Sequence, residues 1–275
     1  MRNFLVRLVG SYLNSISYLS KSYAAEQALL LFSKPRKGQI SDIQSQFLET
    51  AINENFQYET FQIRTYRWQG NGQTILLVHG WESNSARWKP LINHLKNYNY
   101  NIVAVDAPAH GNSGSPYFNA LLYAEFINEV AKKMQPTSII GHSVGGMASV
   151  FFQNKYRLTS IKKMVLLGSP SDFKDVLKRY TDMLGYNNRI SEHLNHIIKE
   201  RYGAIPEAFS TARFVETLSS QGLIIHDQDD PVIPFSDAVK INSHFKNSTL
   251  ITTKGLGHSL NHKKVTLHIS EFIEN

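Results

Sequence analysis

Six times between residues 74 and 259 a short apolar run gives way to a polar or glycine-containing segment: TILLVHG (74–80), NIVAVDAPAHG (101–111), TSIIGHSVGG (137–146), KKMVLLGSP (162–170), GLIIHDQDDP (222–231) and TLITTKGLGHS (249–259). Apolar runs this short, bounded by turn residues, read as strands buried on both faces. Ahead of them FQIRTYRW (61–68) alternates like a half-buried strand. Stretches of helical period lie between: ARWKPLINHLKNY, FNALLYAEFINEVAKKM, MASVFFQNKY and SDAVKINSHF. The alternation predicts an α/β fold, a mostly parallel sheet flanked by helices. Right-handed crossovers then bring the C-terminal ends of the parallel strands to one edge, where ligands bind.

Two regions break this rhythm. Residues 171–220 carry no strand signal and read as three helices, separated by Gly185–Asn188 and by Gly203–Pro206, forming a small helical cap over the ligand edge. The first 56 residues read as an N-terminal helical extension packing on the body, with residues 57–275 as the main domain. Within it Phe4, Leu5, Leu8, Tyr12, Ile16 and Leu19 recur at helical spacing, and SDIQSQFLETAINEN opens on Ser41 and Asp42 as helix caps. The N-terminal stripe fits a helix covering the body or an interfacial membrane helix. Arg7, Gly10 and Asn14 interrupt the apolar region that a secretory signal needs.

Charge separates these regions further. Of the net +7, the first 40 residues hold +5, with Arg2, Arg7, Lys21, Lys34, Arg36 and Lys37 against Glu26. The remainder is close to neutral, which argues against a nucleic-acid-binding body and confines any charged contact to the N-terminus. With no cysteine, thiolate chemistry, disulfides and cysteine-based zinc sites are excluded. No H-E-x-x-H or comparable spacing suggests a metal, and no cofactor is expected. A cytoplasmic protein is expected, with peripheral membrane contact through the basic segment.

At the strand ends the chemistry-bearing residues gather. Gly141-His142-Ser143-Val144-Gly145 is a G-x-S-x-G sequence between a strand and a helix. Gly141 and Gly145 let the backbone turn sharply so that the Ser143 hydroxyl stands proud of the sheet. A serine needs a base to take its proton. His258, in the glycine-rich loop after the last strand, is the first candidate and His262 the second. An acid must orient that base. Asp230, turned out of its strand by Pro231, is preferred over Asp229, with Asp227 and Asp172 behind. Two backbone N–H groups, of Val144 and of Trp81 after His79-Gly80, are the candidate oxyanion donors. His79 and His110 read as structural hydrogen-bonders in their loops.

HGWES, DAPAHGNSG, GHSVGG, HDQDDPVIP and GLGHS, taken in order, resemble the α/β-hydrolase superfamily over about residues 60–275. The order Ser, Asp, His is that superfamily's. With LFSKPRKG and the YRW strand ahead of HGWES, the chain is similar to a bacterial group of hydrolases without an assigned substrate. It departs from common forms at Asp227 and Ala109, where glycine is usual. The resemblance implies an ester or thioester hydrolase acting on a small-molecule acyl substrate. An acyltransferase with the same triad remains open, as does a silent binding module, because fold alone does not fix function.

Overall fold

The computed structural model describes residues 2–275, with side chains from Leu5 onward, so Phe4 of the N-terminal stripe lies outside the described side chains. Three helices, α1 (Arg2–Leu19), α2 (Lys21–Ser33) and α3 (Asp42–Leu48), precede strands β1 (Ile52–Tyr58), β2 (Phe61–Trp68) and β3 (Thr74–Val78). Strands and helices then alternate through α4 (Lys89–Leu95), β4 (Asn101–Val105), α5 (Ala120–Met134), β5 (Ser138–His142), α6 (Val144–Tyr156) and β6 (Lys163–Leu167). Helices α7 (Phe173–Leu184), α8 (Asn188–Tyr202) and α9 (Thr211–Val215) follow. The chain ends with β7 (Gln221–Asp227), α10 (Phe235–His244), β8 (Ser248–Thr253) and α11 (Lys263–Glu274).

The chain forms two compact units: residues 35–171 with 211–275, and residues 1–34 with 172–210. The larger holds one eight-stranded sheet in the order β1-β2-β4-β3-β5-β6-β7-β8. β1, β2 and β4 pair antiparallel in sequence, and every other pair is parallel. Its central strands are the continuous apolar runs, and β5 is buried along its whole length. One sheet face carries Ile75, Leu77, Ile102, Ala104, Ile140 and Val165 against α4 and α11 through Leu91, Ile92, Val265 and Ile269. Alternation turns Leu76, Val103, Ile139 and Met164 to the other face, which α5 and α6 cover.

Sequence and structure part at β1. The stretch 41–55 reads as one helix, yet the helix stops at Leu48 and Ile52–Tyr58 pair with β2. β1 is a sheet edge with one neighbour, so INENFQY buries few side chains and carries little apolar signal. Residues 35–56 therefore belong with the sheet unit and not with the first two helices.

In the smaller unit α1 and α2 pack with α7 and α8 around Leu13, Ala24, Ala25, Ala28, Leu177, Ile190, Leu194 and Ile198. Phe173 and Tyr180 are engaged there, their rings tilted against that of Phe32, while the Tyr180 hydroxyl donates to the Ala28 carbonyl at 2.7 Å. The insertion holds two long helices, a short turn at Pro206–Ala208 and the five-residue α9, which belongs with the sheet unit. Among the described residues no helix is long and apolar enough to cross a membrane.

A buried carboxylate ties the loops after β3 and β4 together. Asp106, fully buried, accepts from the Ser85 N–H (2.9 Å), the Ser85 hydroxyl (2.7 Å), the Asn112 N–H (2.9 Å) and the Tyr66 hydroxyl (3.1 Å). Burial raises its pKa, and those four donors counter part of the rise. Removing the acceptor strands several buried donors at once. Asp106→Ala is expected to cost about 3–5 kcal/mol of stability, read as a lowered urea midpoint at unchanged slope.

Candidate active site

The site begins where β5 turns into α6. Ser143 sits between them with φ 53° and ψ −129°, a conformation L-residues rarely adopt. It is held there from both sides: its N–H donates to the Leu167 carbonyl at 2.8 Å, and its carbonyl accepts from Gly146 N–H at 2.9 Å. The flanking glycines are a steric requirement. A Cβ at Gly145 would come within 2.3 Å of the His79 carbonyl oxygen, and one at Gly141 within 2.4 Å of the Gly146 Cα. Such strain costs on the order of 1–3 kcal/mol and persists only where the surroundings over-determine it.

His258 lies in the loop between β8 and α11, and Asp230 in the loop after β7. Asp230 Oδ2 stands 2.7 Å from His258 Nδ1, and His258 Nε2 stands 3.0 Å from Ser143 Oγ. A carboxylate can only accept, so the neutral ring carries its proton on Nδ1 and leaves Nε2 bare toward the hydroxyl. Ser143 is 5% exposed. The Asp230 side chain is fully shielded, and that of His258 is 19% exposed.

The acid loop assigns different work to its aspartates. Asp230 Oδ1 accepts from the Val232 and Ile233 N–H groups at 2.8 and 3.0 Å, leaving Oδ2 for the histidine. Burial alone would raise its pKa, but hydrogen bonds from His226, His258, Ile233 and Val232 outweigh that and hold it well below the ordinary carboxylate value. Asp227 stays with its strand and accepts from Thr253 Oγ1 (2.7 Å), Leu256 N–H (2.9 Å) and Asp229 N–H (3.1 Å). It thus clips the acid loop to the histidine loop, a use for the carboxylate where glycine is usual. Asp229 is exposed and gives that clip its N–H, while Asp172 stands at the N-terminal boundary of α7 and forms a β-bridge to Ser210 within the smaller unit. His262 is exposed and caps α11.

Two further histidines reach this assembly. His142 Nε2 donates to the His258 carbonyl at 2.9 Å, and the two rings stand 4.9 Å apart. Divergence of neighbouring side chains predicts that His142 points away from the site. The side chains do diverge, but His258 meets both, its ring at Ser143 and its backbone at His142. His226 Nε2 donates to the Ile233 carbonyl at 2.9 Å and lies 3.4 Å from Asp230 Oδ2. Nothing in the sequence singles out either contact: the first joins segments 116 residues apart, and the second depends on how the loop after β7 folds back on its own strand.

Burial depresses the pKa values of His79, His110 and His142, keeping them neutral. His79 donates from Nδ1 to Gly80 O and accepts the Ala107 N–H on Nε2; His110 donates from Nδ1 to Pro108 O and accepts the Glu82 N–H. Both are fasteners of the loops around Trp81, as their sequence context suggests. Gly80 brings that loop against the serine: a Cβ there would lie 2.9 Å from Ser143 Cβ. Val144 opens α6, where first-turn N–H groups lack intrahelical acceptors. Trp81 packs edge-on to Phe118 and His110, whereas Trp88 is buried in the core. Among the described residues no group of three or more His, Asp or Glu is arranged to hold a metal ion.

Comparison with known proteins agrees with this architecture. The family model described as "alpha/beta hydrolase fold" matches residues 73–190. A serine hydrolase-like protein of Danio rerio is 29% identical over 46% of this chain and 43% of its own length. A pimeloyl-[acyl-carrier protein] methyl ester esterase of Vibrio vulnificus is 26% identical over 50% of this chain and 54% of its own. The chain therefore spans less than two thirds of either relative. Among solved structures, a bromoperoxidase from Bacillus anthracis superposes with a TM-score of 0.66 at 18% identity, covering 82% of this chain and all of that one, a likeness of fold.

The depressed pKa of Asp230 makes a prediction about acid stability. A carboxylate more acidic when folded stabilises the protein fully above its unfolded value, about pH 4, and loses that contribution as pH falls through its folded value. Wild type is expected to exceed Asp230→Asn in unfolding free energy between pH 5 and 7. The gap should narrow steadily below pH 4 in denaturant titrations.

Proposed function

We propose that this chain, an α/β-hydrolase by fold and by the family model it matches, is a serine hydrolase cleaving carboxylic ester or thioester bonds. The reading rests above all on the unbroken chain from Asp230 Oδ2 through the His258 ring to Ser143 Oγ, with links of 2.7 and 3.0 Å. The methyl ester esterase among its relatives supports the same bond type.

In the proposed reaction Ser143 Oγ attacks the acyl carbonyl carbon as His258 Nε2 takes the hydroxyl proton. Asp230 keeps the ring in the Nδ1–H tautomer and stabilises the imidazolium that forms. Negative charge develops on the former carbonyl oxygen, toward the Val144 and Trp81 N–H groups, each such donor contributing roughly 3 kcal/mol to the barrier reduction. Collapse breaks the bond to the leaving alcohol or thiol, which departs with the proton from His258. Water then repeats the sequence on the acyl-enzyme, returning the free acid and the Ser143 hydroxyl. All of these groups belong to the chain itself, so the proposed cycle draws on no metal or cofactor.

Hydrolysis of p-nitrophenyl esters from acetate to dodecanoate tests the assignment. Ser143→Ala should reduce turnover to the buffer rate. Asp230→Asn should lower kcat by about 10³–10⁴-fold, because asparagine favours the wrong tautomer. Wild-type turnover surviving in Ser143→Ala would refute the reading.

A further inference from the structure

The first helix presents an apolar face that its own unit does not cover. Two contacts fix its rotation. A Cβ at Gly10 would sit 1.7 Å from the Leu184 carbonyl oxygen, so the helix lies directly on the end of α7. One turn on, Asn14 Nδ2 donates to Gly185 O at 2.8 Å and its Oδ1 accepts the Asn187 N–H at 2.9 Å. Ser17 Oγ accepts from Asn187 Nδ2 at 3.0 Å. The seated face is thus Gly10, Leu13 and Ser17, with Val6, Val9 and Ile16 half-buried beside it.

That seating turns Leu5, Leu8, Tyr12 and Leu19 outward, 62%, 48%, 66% and 91% exposed. At 3.6 residues per turn they share an arc of roughly 60°, with Ser15 just beyond its edge. The sequence pattern allows this stripe either to pack on the body or to lie in a membrane interface; packing goes to the small-residue face, where backbones approach most closely. A helix apolar on both sides is ordinarily buried on both.

Charge indicates what covers the second side. The first 25 residues contain Arg2, Arg7 and Lys21 and no acidic residue. Arg7 and Lys21 are exposed and form no ion pair among the described residues. Elsewhere in the unit, Lys178 pairs with Asp182, Arg201 with Glu26, and Arg189 lies over the Tyr18 ring. An apolar row on a segment that carries cations and no acidic residue matches an anionic lipid surface, into which an interfacial helix sinks its apolar side while the cations meet the headgroups. We propose that α1 docks the protein on anionic phospholipid membranes through Leu5, Leu8, Tyr12 and Leu19, with Arg7 and Lys21 selecting the negative surface.

The test is co-sedimentation of the full chain with vesicles of phosphatidylcholine alone or with one quarter phosphatidylglycerol. Wild type should bind the anionic vesicles at least tenfold more tightly, and added salt should weaken that binding. Arg7→Ser should bind roughly fivefold more weakly, the effect of one basic residue near such a surface. The triple variant Leu5→Ser/Leu8→Ser/Leu19→Ser should lose at least tenfold, at an unchanged melting temperature. Should the triple variant unfold, Arg7→Ser and the lipid preference of wild type still decide. Equal binding by wild type and variants, equal binding to both vesicle types, or no binding would overturn the proposal. So would a lipid-free dimer that the triple variant dissolves, since a second copy would then cover the face.

Discussion

The site depends on one turn, in which Ser143 is held at positive φ between the end of β5 and the start of α6. β5 lies in the sheet interior with β3 and β6 as neighbours, so the turn is clamped from both flanks. The Leu167 carbonyl at the end of β6 takes the serine N–H, and Gly145 lies against the backbone at the end of β3. The sheet thereby imposes a conformation that would cost an isolated peptide on the order of 1–3 kcal/mol. Because the clamp is backbone and close packing, the hydroxyl has little freedom to drift from the two loops that meet it.

Those loops are organised by ionisable groups kept in different states. Asp230 receives two amide donors and the His258 imidazole, with the His226 ring 3.4 Å away, and stays ionised far into the acid range. Asp227, three residues earlier, spends its oxygens on Thr253, Leu256 and Asp229 and fixes the relation between the acid and histidine loops. His79, His110 and His142 are neutral through burial and serve as hydrogen-bonding joints. Among these groups the Asp230 carboxylate is the charged one in direct contact with the His258 ring.

Much of this is legible in the sequence. Buried central strands must be apolar on both faces, so β3 to β7 stand out as short runs, and glycine at 141 and 145 follows from the sharpness of the turn. Pro231 signalled that Asp230 leaves its strand. Harder to read was anything set by contact across distant segments. β1 pairs with a single neighbour, so its sequence resembles a polar helix end. His142 reaches a carbonyl 116 residues away, a contact without a local signature. The stripe on α1 has the right period, but period alone does not say which of two apolar faces will be seated, and Gly10 decided that.

In the proposed function the turn, the histidine loop and the acid loop together make Ser143 a nucleophile. Intact mass and peptide mapping after exposure to a fluorophosphonate test it most directly, because the covalent adduct reports activation without knowledge of the substrate. A single adduct on Ser143 is expected in wild type and none in His258→Ala at neutral pH. An unlabelled wild type, or an adduct on Ser143 that forms equally fast without His258, would contradict it.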